Sequence, residues 1–265
     1  MSASPALVTR LAGELLTATR SGTPVEPLSE RHPELDLTDA YAIQRELVDS
    51  LLGRGGARGG IAGWKVGLTS LAMQRQLGVH QPDYAPIPAS LLVEDGGSVR
   101  ADELIAPRVE AEIAFWLDAP LRGPGVTVAD VLAATGAVSP ALEIVDSRVR
   151  DWRIRLVDTV ADLASCGRII VGPARVPVKG LDLRLLGVVL DDDGEVAATG
   201  AGAACLGDPA AAVAWAANTF GALGVTLEAG QVVMPGAVHA SVPMAVGHTY
   251  RARFDRLGDV SVSLS

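Results

Sequence analysis

Val109-Glu110-Ala111-Glu112-Ile113-Ala114-Phe115-Trp116-Leu117 is the stretch that decides how this chain is read. Val109, Ala111, Ile113, Phe115 and Leu117 alternate with Glu110, Glu112, Ala114 and Trp116. A period of two predicts a strand with one apolar face. Residues two apart on a strand lie about 6.5–7 Å from one another and point the same way, so Glu110 and Glu112 share a face. Like charges on one face repel, and burying them costs desolvation energy. Two readings are open. A divalent cation between the carboxylates would remove both penalties; alternatively, glutamates are ordinary on the solvent face of an edge strand. With oxygen donors and neither cysteine nor histidine nearby, the cation would be Mg²⁺ or Mn²⁺ rather than Zn²⁺.

Outward from this strand, Ala141-Leu142-Glu143-Ile144-Val145 reads as another, with Glu143 as a third carboxylate that could complete a facial set or face solvent. Segments 185–190 and 195–199 flank Asp191-Asp192-Asp193-Gly194, and Asp-Gly is a hairpin signal. Asp208-Pro209 caps a helix running to about Leu223 and closed by Gly224. Segments 231–234, 249–255 and 260–264 are the last strands. Before Gly63 the pattern is helical. Leu7, Leu11 and Leu15 recur at four-residue spacing, Pro24, Pro27 and Pro33 interrupt, and Thr38 is the expected cap of a second helix carrying Tyr41, Leu47, Val48, Leu51 and Leu52. Strands follow strands, so the fold class is α+β with a mixed β core. Residues 1–62 are expected to form a helical segment packed on a catalytic β-rich unit, 63–265.

The chain of 265 residues carries 22 Lys+Arg against 31 Asp+Glu, a formal net charge of −9. That balance opposes general nucleic-acid binding, which needs a basic stripe. Two cysteines, Cys166 and Cys205, cannot make a disulfide framework or a Cys-rich zinc module, and both read as small core residues. No apolar run reaches transmembrane length. The first residues lack a signal-peptide pattern, so a cytoplasmic location is the expectation.

Nearly all the basic residues are arginine; the two lysines are Lys65 and Lys179. Lysine can give up a proton or shift its pKa when buried, which arginine cannot do. Lys65 lies in the apolar, strand-like Gly63-Trp64-Lys65-Val66-Gly67-Leu68-Thr69, whereas Lys179 lies in Pro177-Val178-Lys179-Gly180, a surface turn. Other motifs are weaker. The glycine run at 53–60 has no Walker ending, and Gly200-Ala201-Gly202 lacks the third glycine and the βαβ setting of a dinucleotide site. His32, His80, His239 and His248 show no metal spacing.

Taken together, these segments resemble the 2-keto-4-pentenoate (2-hydroxypenta-2,4-dienoate) hydratases of the fumarylacetoacetate hydrolase superfamily. The resemblance runs from about Leu37 to Leu264. It is carried by 63–70, Gln76-Leu77-Gly78-Val79, Gln81-Pro82-Asp83-Tyr84, Pro107-Arg108-Val109-Glu110-Ala111-Glu112, 140–152, Asp158-Thr159-Val160-Ala161-Asp162 and 200–207. It implies a twisted mixed β-sheet roll with peripheral helices, a homo-oligomer, and Mg²⁺ or Mn²⁺ held by Glu110, Glu112 and Glu143. It also implies Lys65 and Asp83 as the acid/base pair, with Ser165, Leu68 and Gly236 at the substrate pocket. The reaction implied is addition of water to a 2-hydroxy-2,4-dienoate through its 2-oxo-3-enoate tautomer.

Departures from the family pattern are Leu163 in place of Asn, Ala85 followed by Pro86 in place of Gly, and Pro235 in place of Thr or Ser. Ala237-Val238-His239-Ala240 is also unusual. These changes are expected to touch the pocket and admit a larger or more apolar 2-oxo acid. A 4-oxalocrotonate-type decarboxylase shares the carboxylate set, and the tail from Phe254 to Gly258 leans that way. Asp83 and the 151–160 segment look hydratase-like instead. A hydrolase of acylpyruvate-like acids would need a His-Glu pair, which is not apparent.

Overall fold

A computed structural model describes residues 3–53, 60–70, 74 and 79–265; positions 54–59 of the glycine run and Gln76-Leu77-Gly78 lie outside them. In chain order the helices are α1 (Pro5–Ser21), α2 (Leu28–Arg31), α3 (Leu37–Leu52), α4 (Val128–Ala134), α5 (Leu156–Ala161) and α6 (Pro209–Ala222). The first strands are β1 (Ile61–Gly67), β2 (Asp83–Pro88), β3 (Leu92–Val93), β4 (Ser98–Val99) and β5 (Arg108–Leu117). They continue with β6 (Thr135–Val145), β7 (Cys166–Val171), β8 (Val176–Pro177), β9 (Gly187–Asp192) and β10 (Glu195–Ala201). The last are β11 (Val232–Met234), β12 (Val242–Pro243), β13 (Thr249–Phe254) and β14 (Gly258–Leu264).

Two sheets contain these strands. The larger runs β2-β1-β11-β5-β6-β7-β3, with β12 also on β5 and β8 on β6; the smaller runs β10-β9-β13-β14-β4. Parallel and antiparallel pairs coexist: β1 is parallel to β11 and antiparallel to β2. The mixed sheets with peripheral helices are the α+β architecture expected.

The period-two stretch explains the layering. Val109, Ala111, Ile113, Phe115 and Leu117 enter one apolar cluster with Val188, Leu190, Tyr250, Val260 and Val262 of the smaller sheet. Ala114, on the opposite face of β5, enters a second cluster with Leu11, Leu15, Ile43 and Leu47 of the N-terminal helices. The larger sheet is therefore covered on both sides, which rules out the edge-strand reading of β5: β11 and β12 flank it on one side and β6 on the other.

Several local expectations need correction. Asp36, not Thr38, caps α3: its carboxylate accepts from Asp39 N, and the Asp39 side chain accepts from Asp36 N in return. Leu185, expected in a strand, sits in a 3-10 turn, and β9 starts at Gly187. β2 was missed because Pro86 and Pro88 discourage a strand reading, yet it occupies a sheet edge, where a proline without an N–H is tolerated. The Asp193-Gly194 hairpin holds, with both residues at positive φ, and so does the Asp208-capped helix. Lys179 is exposed in a turn.

Candidate active site

β5 and β6 pair so that Glu110 stands directly opposite Glu143, with Ala111 opposite Leu142 and Glu112 opposite Ala141. Like charges in direct cross-strand register repel, so the fold brings together groups that would separate if their own charges decided. One carboxylate oxygen from each of Glu110, Glu112 and Glu143 lies within 4.8 Å of the others. Burial pushes the Glu110 carboxyl up to about 7, with the Glu143 charge adding to the effect. Burial, then Glu143 and Glu110, hold Glu112 well above the ordinary carboxylate range.

Lys65 reaches this cluster because the sheet curls. β11 and β5 lie between β1 and β6, which in a flat sheet would set them about 14 Å apart, beyond a lysine's reach. Yet Lys65 Nζ lies 3.1 Å from Glu143 Oε1 and donates to the Ala164 carbonyl at 2.7 Å. Burial alone would push the Lys65 ammonium down, but Glu143 and then Asp83 hold it above the ordinary lysine range.

Asp83 lies opposite Gly67 across β1 and β2. A Cβ on Gly67 would fall 2.1 Å from Asp83 Oδ1 and 3.5 Å from Lys65 Nζ, so glycine makes the room in which this carboxylate sits. Burial raises Asp83 to about 6 against the opposing pull of Lys65. Thr159 Oγ1 donates to Asp83 Oδ2 at a long 3.5 Å and lies 3.5 Å from Ser165 Oγ. Lys65, Asp83, Glu112 and Glu143 are each 3% exposed or less.

Ser165 ends an unusual turn: Leu163, Ala164 and Ser165 all have positive φ, between 49° and 56°. Consecutive left-handed non-glycine residues are strained. Arg148, itself buried, braces them. Its guanidinium donates to the Asp162 carboxylate and carbonyl and, at 2.8 Å, to the Asp146 and Cys166 carbonyls. Asp146 N donates to Ser165 O at 2.8 Å. The turn aims Ala164 O at Lys65 and sets Ser165 on the cavity wall.

The cavity measures about 590 Å³ and is lined by every residue singled out for chemistry, namely Lys65, Asp83, Glu110, Glu112, Glu143 and Ser165, with Leu68 and Gly236. Gly236 has a role beyond lining: at φ 114° its N–H donates to Glu112 Oε2 at 2.8 Å, and a Cβ there would strike Thr69 Oγ1. The expectation about departures is corrected. Leu163, Ala85 and Pro235 are not among the described residues lining the cavity, whereas Ala237, His239 and Ala240 are. Leu163 packs in the cluster beneath the N-terminal helices. Sequence reading missed Arg108, Thr159 and Ser241 on the wall. Arg108 was legible in principle, since it lies two residues before Glu110 on the same strand face.

The donor set fits a hard divalent cation. All three ligand groups offer oxygen, and Glu112 Oε1 and Glu143 Oε2 are buried with no hydrogen-bond partner among the described residues. Uncompensated buried carboxylates are costly, and a cation accepting them would offset that cost.

Relatives place the chain in a family. No protein-family model matches the chain. It is 43% identical over 253 residues to a 2-hydroxyhexa-2,4-dienoate hydratase of Comamonas testosteroni, covering 95% of each protein. To a 2-keto-4-pentenoate hydratase of Burkholderia vietnamiensis it is 42% identical over 258 residues, 97% of each. Among solved structures, a 4-oxalocrotonate decarboxylase from Pseudomonas putida G7, complexed with magnesium and adipate, superposes with a TM-score of 0.95. That match has 38% identity and covers 100% of this chain and 99% of the other. The chain belongs to the 2-keto-4-pentenoate hydratase family, enzymes of the hydro-lyase class built on the fumarylacetoacetate hydrolase fold. Among the described residues, no helix is long and apolar enough to cross a membrane.

Proposed function

We propose that this protein is a metal-dependent hydratase converting a short 2-hydroxy-2,4-dienoate, through its 2-oxo-3-enoate tautomer, into a 4-hydroxy-2-oxo acid. Glu110, Glu112 and Glu143 would hold Mg²⁺ or Mn²⁺. When bound, the cation supplies Lewis-acid polarisation of the substrate's C1 carboxylate and C2 oxygen. The observation that carries the reading is Asp83: a buried carboxyl raised to about 6, coupled to Lys65 and opening on the same cavity as the three glutamates.

A group poised near neutrality can both accept and return a proton, and hydration needs both events. The dienol loses its O–H proton and gains one at C5; water then adds at C4 while a proton is delivered to C3. Lys65 and Asp83 are the acid/base pair. Thr159 orients the Asp83 carboxyl by hydrogen bonding, and Ser165 reaches it only through Thr159. Leu68, Val145 and Ile154, which also line the cavity, would hold the hydrocarbon chain and exclude bulk water from it. Gly236 acts on the site by holding Glu112.

A 4-oxalocrotonate-type decarboxylase is the second reading, favoured by the close superposition on such an enzyme. A hydrolase of acylpyruvate-like 2-oxo acids is a weaker third. Purified protein with Mg²⁺ should deplete the absorbance of 2-hydroxypenta-2,4-dienoate or its six-carbon homologue and release no CO₂ from a 2-hydroxymuconate-type diacid. CO₂ release from the diacid, with the monoacids untouched, would replace the hydratase with the decarboxylase. A homo-oligomer acting in the cytoplasm completes the proposal; light scattering on the purified protein measures its assembly.

A further inference from the structure

The segment from Gly236 to Ser241 has a task that the reaction itself does not name. β11 ends its pairing with β5 at Val233 opposite Phe115, and β12 resumes it at Val242 opposite Val109. Between these points, among the described residues, β5 has no strand beside it on that flank, and this is where Glu110 and Glu112 stand. Ala111, the residue between them, would present an N–H and a C=O to the gap. Val238 N donates to Ala111 O at 3.0 Å. The N–H donates to the side chain of His239, at Nε2, 3.1 Å away.

The ring's protonation follows from its partners. A backbone N–H can only donate, so Nε2 accepts. Nδ1 lies 2.8 Å from the Ala240 carbonyl, which can only accept, so Nδ1 carries the hydrogen. The imidazole is therefore neutral in this arrangement; burial, which pushes its pKa below the ordinary histidine range, favours the same state. The rest of the segment is anchored on the same strand face. Gly236 N–H holds Glu112, and Arg108 donates through Nε to Ser241 Oγ at 2.7 Å and through Nη2 to Ser241 O at 3.0 Å.

We infer that His239 is a positioning residue for the cation site, a side-chain substitute for the missing strand partner that fixes the backbone between Glu110 and Glu112 and so sets the spacing of their carboxylates. The inference rests on the reading of Glu110, Glu112 and Glu143 as a divalent-cation site. Without the ring acceptor, the Ala111 N–H would turn to water or twist, and the two ligands on either side would lose their fixed separation.

The test is Mn²⁺ binding, measured by electron paramagnetic resonance of the free ion, on wild type, His239→Leu, His239→Asn and His239→Gln. Leu removes the acceptor, Asn is too short to carry one to the Nε2 position, and Gln can place its carbonyl oxygen there. Groups that orient metal ligands from behind typically contribute 10–100-fold in affinity. Leu and Asn should therefore weaken Mn²⁺ binding roughly tenfold or more, with circular dichroism unchanged, while Gln stays within about threefold of wild type. Amide exchange at Ala111 should quicken in Leu and Asn and not in Gln. Wild-type affinity in the Leu or Asn variant would overturn the inference, as would equal loss in all three variants, which would assign the effect to ring packing. Should His239→Leu fail to fold, the Asn and Gln pair decides alone. Failure of the wild type to bind Mn²⁺ would instead overturn the cation site itself.

Discussion

Glu110 faces Glu143 across two strands with Glu112 beside it, and this contact makes the strongest claim at the scale of single residues. Three carboxyl groups crowd one ammonium where burial and their mutual repulsion oppose ionisation, so removing one of them should cost function and not stability. Glu110→Gln should abolish Mn²⁺ binding and turnover while leaving the thermal midpoint unchanged or higher; retained turnover would remove Glu110 from the site. Asp83 gives a prediction with a sign. Its folded-state pKa of about 6 stands above its ordinary value, so the folded protein binds that proton more tightly than the unfolded chain does. Stability falls as pH rises from about 4 to about 6, and the loss persists above. Asp83→Asn should therefore stabilise the metal-free protein by ~1–3 kcal/mol at pH 8, with a smaller gain toward pH 4.5, as read from thermal melts. In the metal-saturated wild type, kcat/KM should fall on the acid side as Asp83 becomes protonated, with a midpoint below that of the metal-free protein, because a bound cation offsets the Glu143 charge that helps raise Asp83. Asp83→Asn should lose roughly 10²–10⁴-fold in rate together with that limb of the profile.

Helices and strands were legible to different depths. The period-two pattern of 109–117 announced both the strand and its charged face, because a two-sided sheet leaves a simple alternation in the sequence. β2 was hidden by Pro86 and Pro88, whose lack of an N–H matters little at an edge. The turn at Leu163, Ala164 and Ser165 was not legible at all: nothing about leucine, alanine or serine asks for positive φ, and distant groups hold them there, Arg148 through the flanking Asp162 and Cys166, Asp146 at Ser165 and Lys65 at Ala164. The start of α3 shows how local competition misleads. Thr38 and Asp36 are both good caps, and the reciprocal bonds between Asp36 and Asp39 decide for Asp36. Asp36→Ala should lower stability by ~0.5–2 kcal/mol, whereas Thr38→Ala should change it little; urea titrations of the two variants separate them. The same logic applies to the cavity wall. Leu163 and Pro235 looked like pocket residues by their place in the chain, but backbone direction sends them elsewhere.

At the scale of the molecule, the curl of the larger sheet gathers sequence segments from Lys65 to Ser165 into one site. It brings Lys65 from β1 to Glu143 on β6 across two intervening strands, and it sets Asp83 and the Ser165 turn around the same cavity. Two covering layers, the N-terminal helices on one side and the smaller sheet on the other, keep that curl fixed and the site dry enough to shift its carboxyl groups upward. The site was therefore legible as a set of residues but not as a geometry, since the curl depends on contacts spread over the whole chain. Hydration is the chemistry proposed for this arrangement, and its product distinguishes it from every rival on the same residues. The most direct measurement follows C4 of a ¹³C-labelled 2-hydroxypenta-2,4-dienoate by NMR, with purified protein and either Mg²⁺ or a chelator. A hydratase moves that carbon from the olefinic to the carbinol region in step with substrate loss, and only with Mg²⁺; a C4 that stays olefinic while Mg²⁺ is present would contradict it.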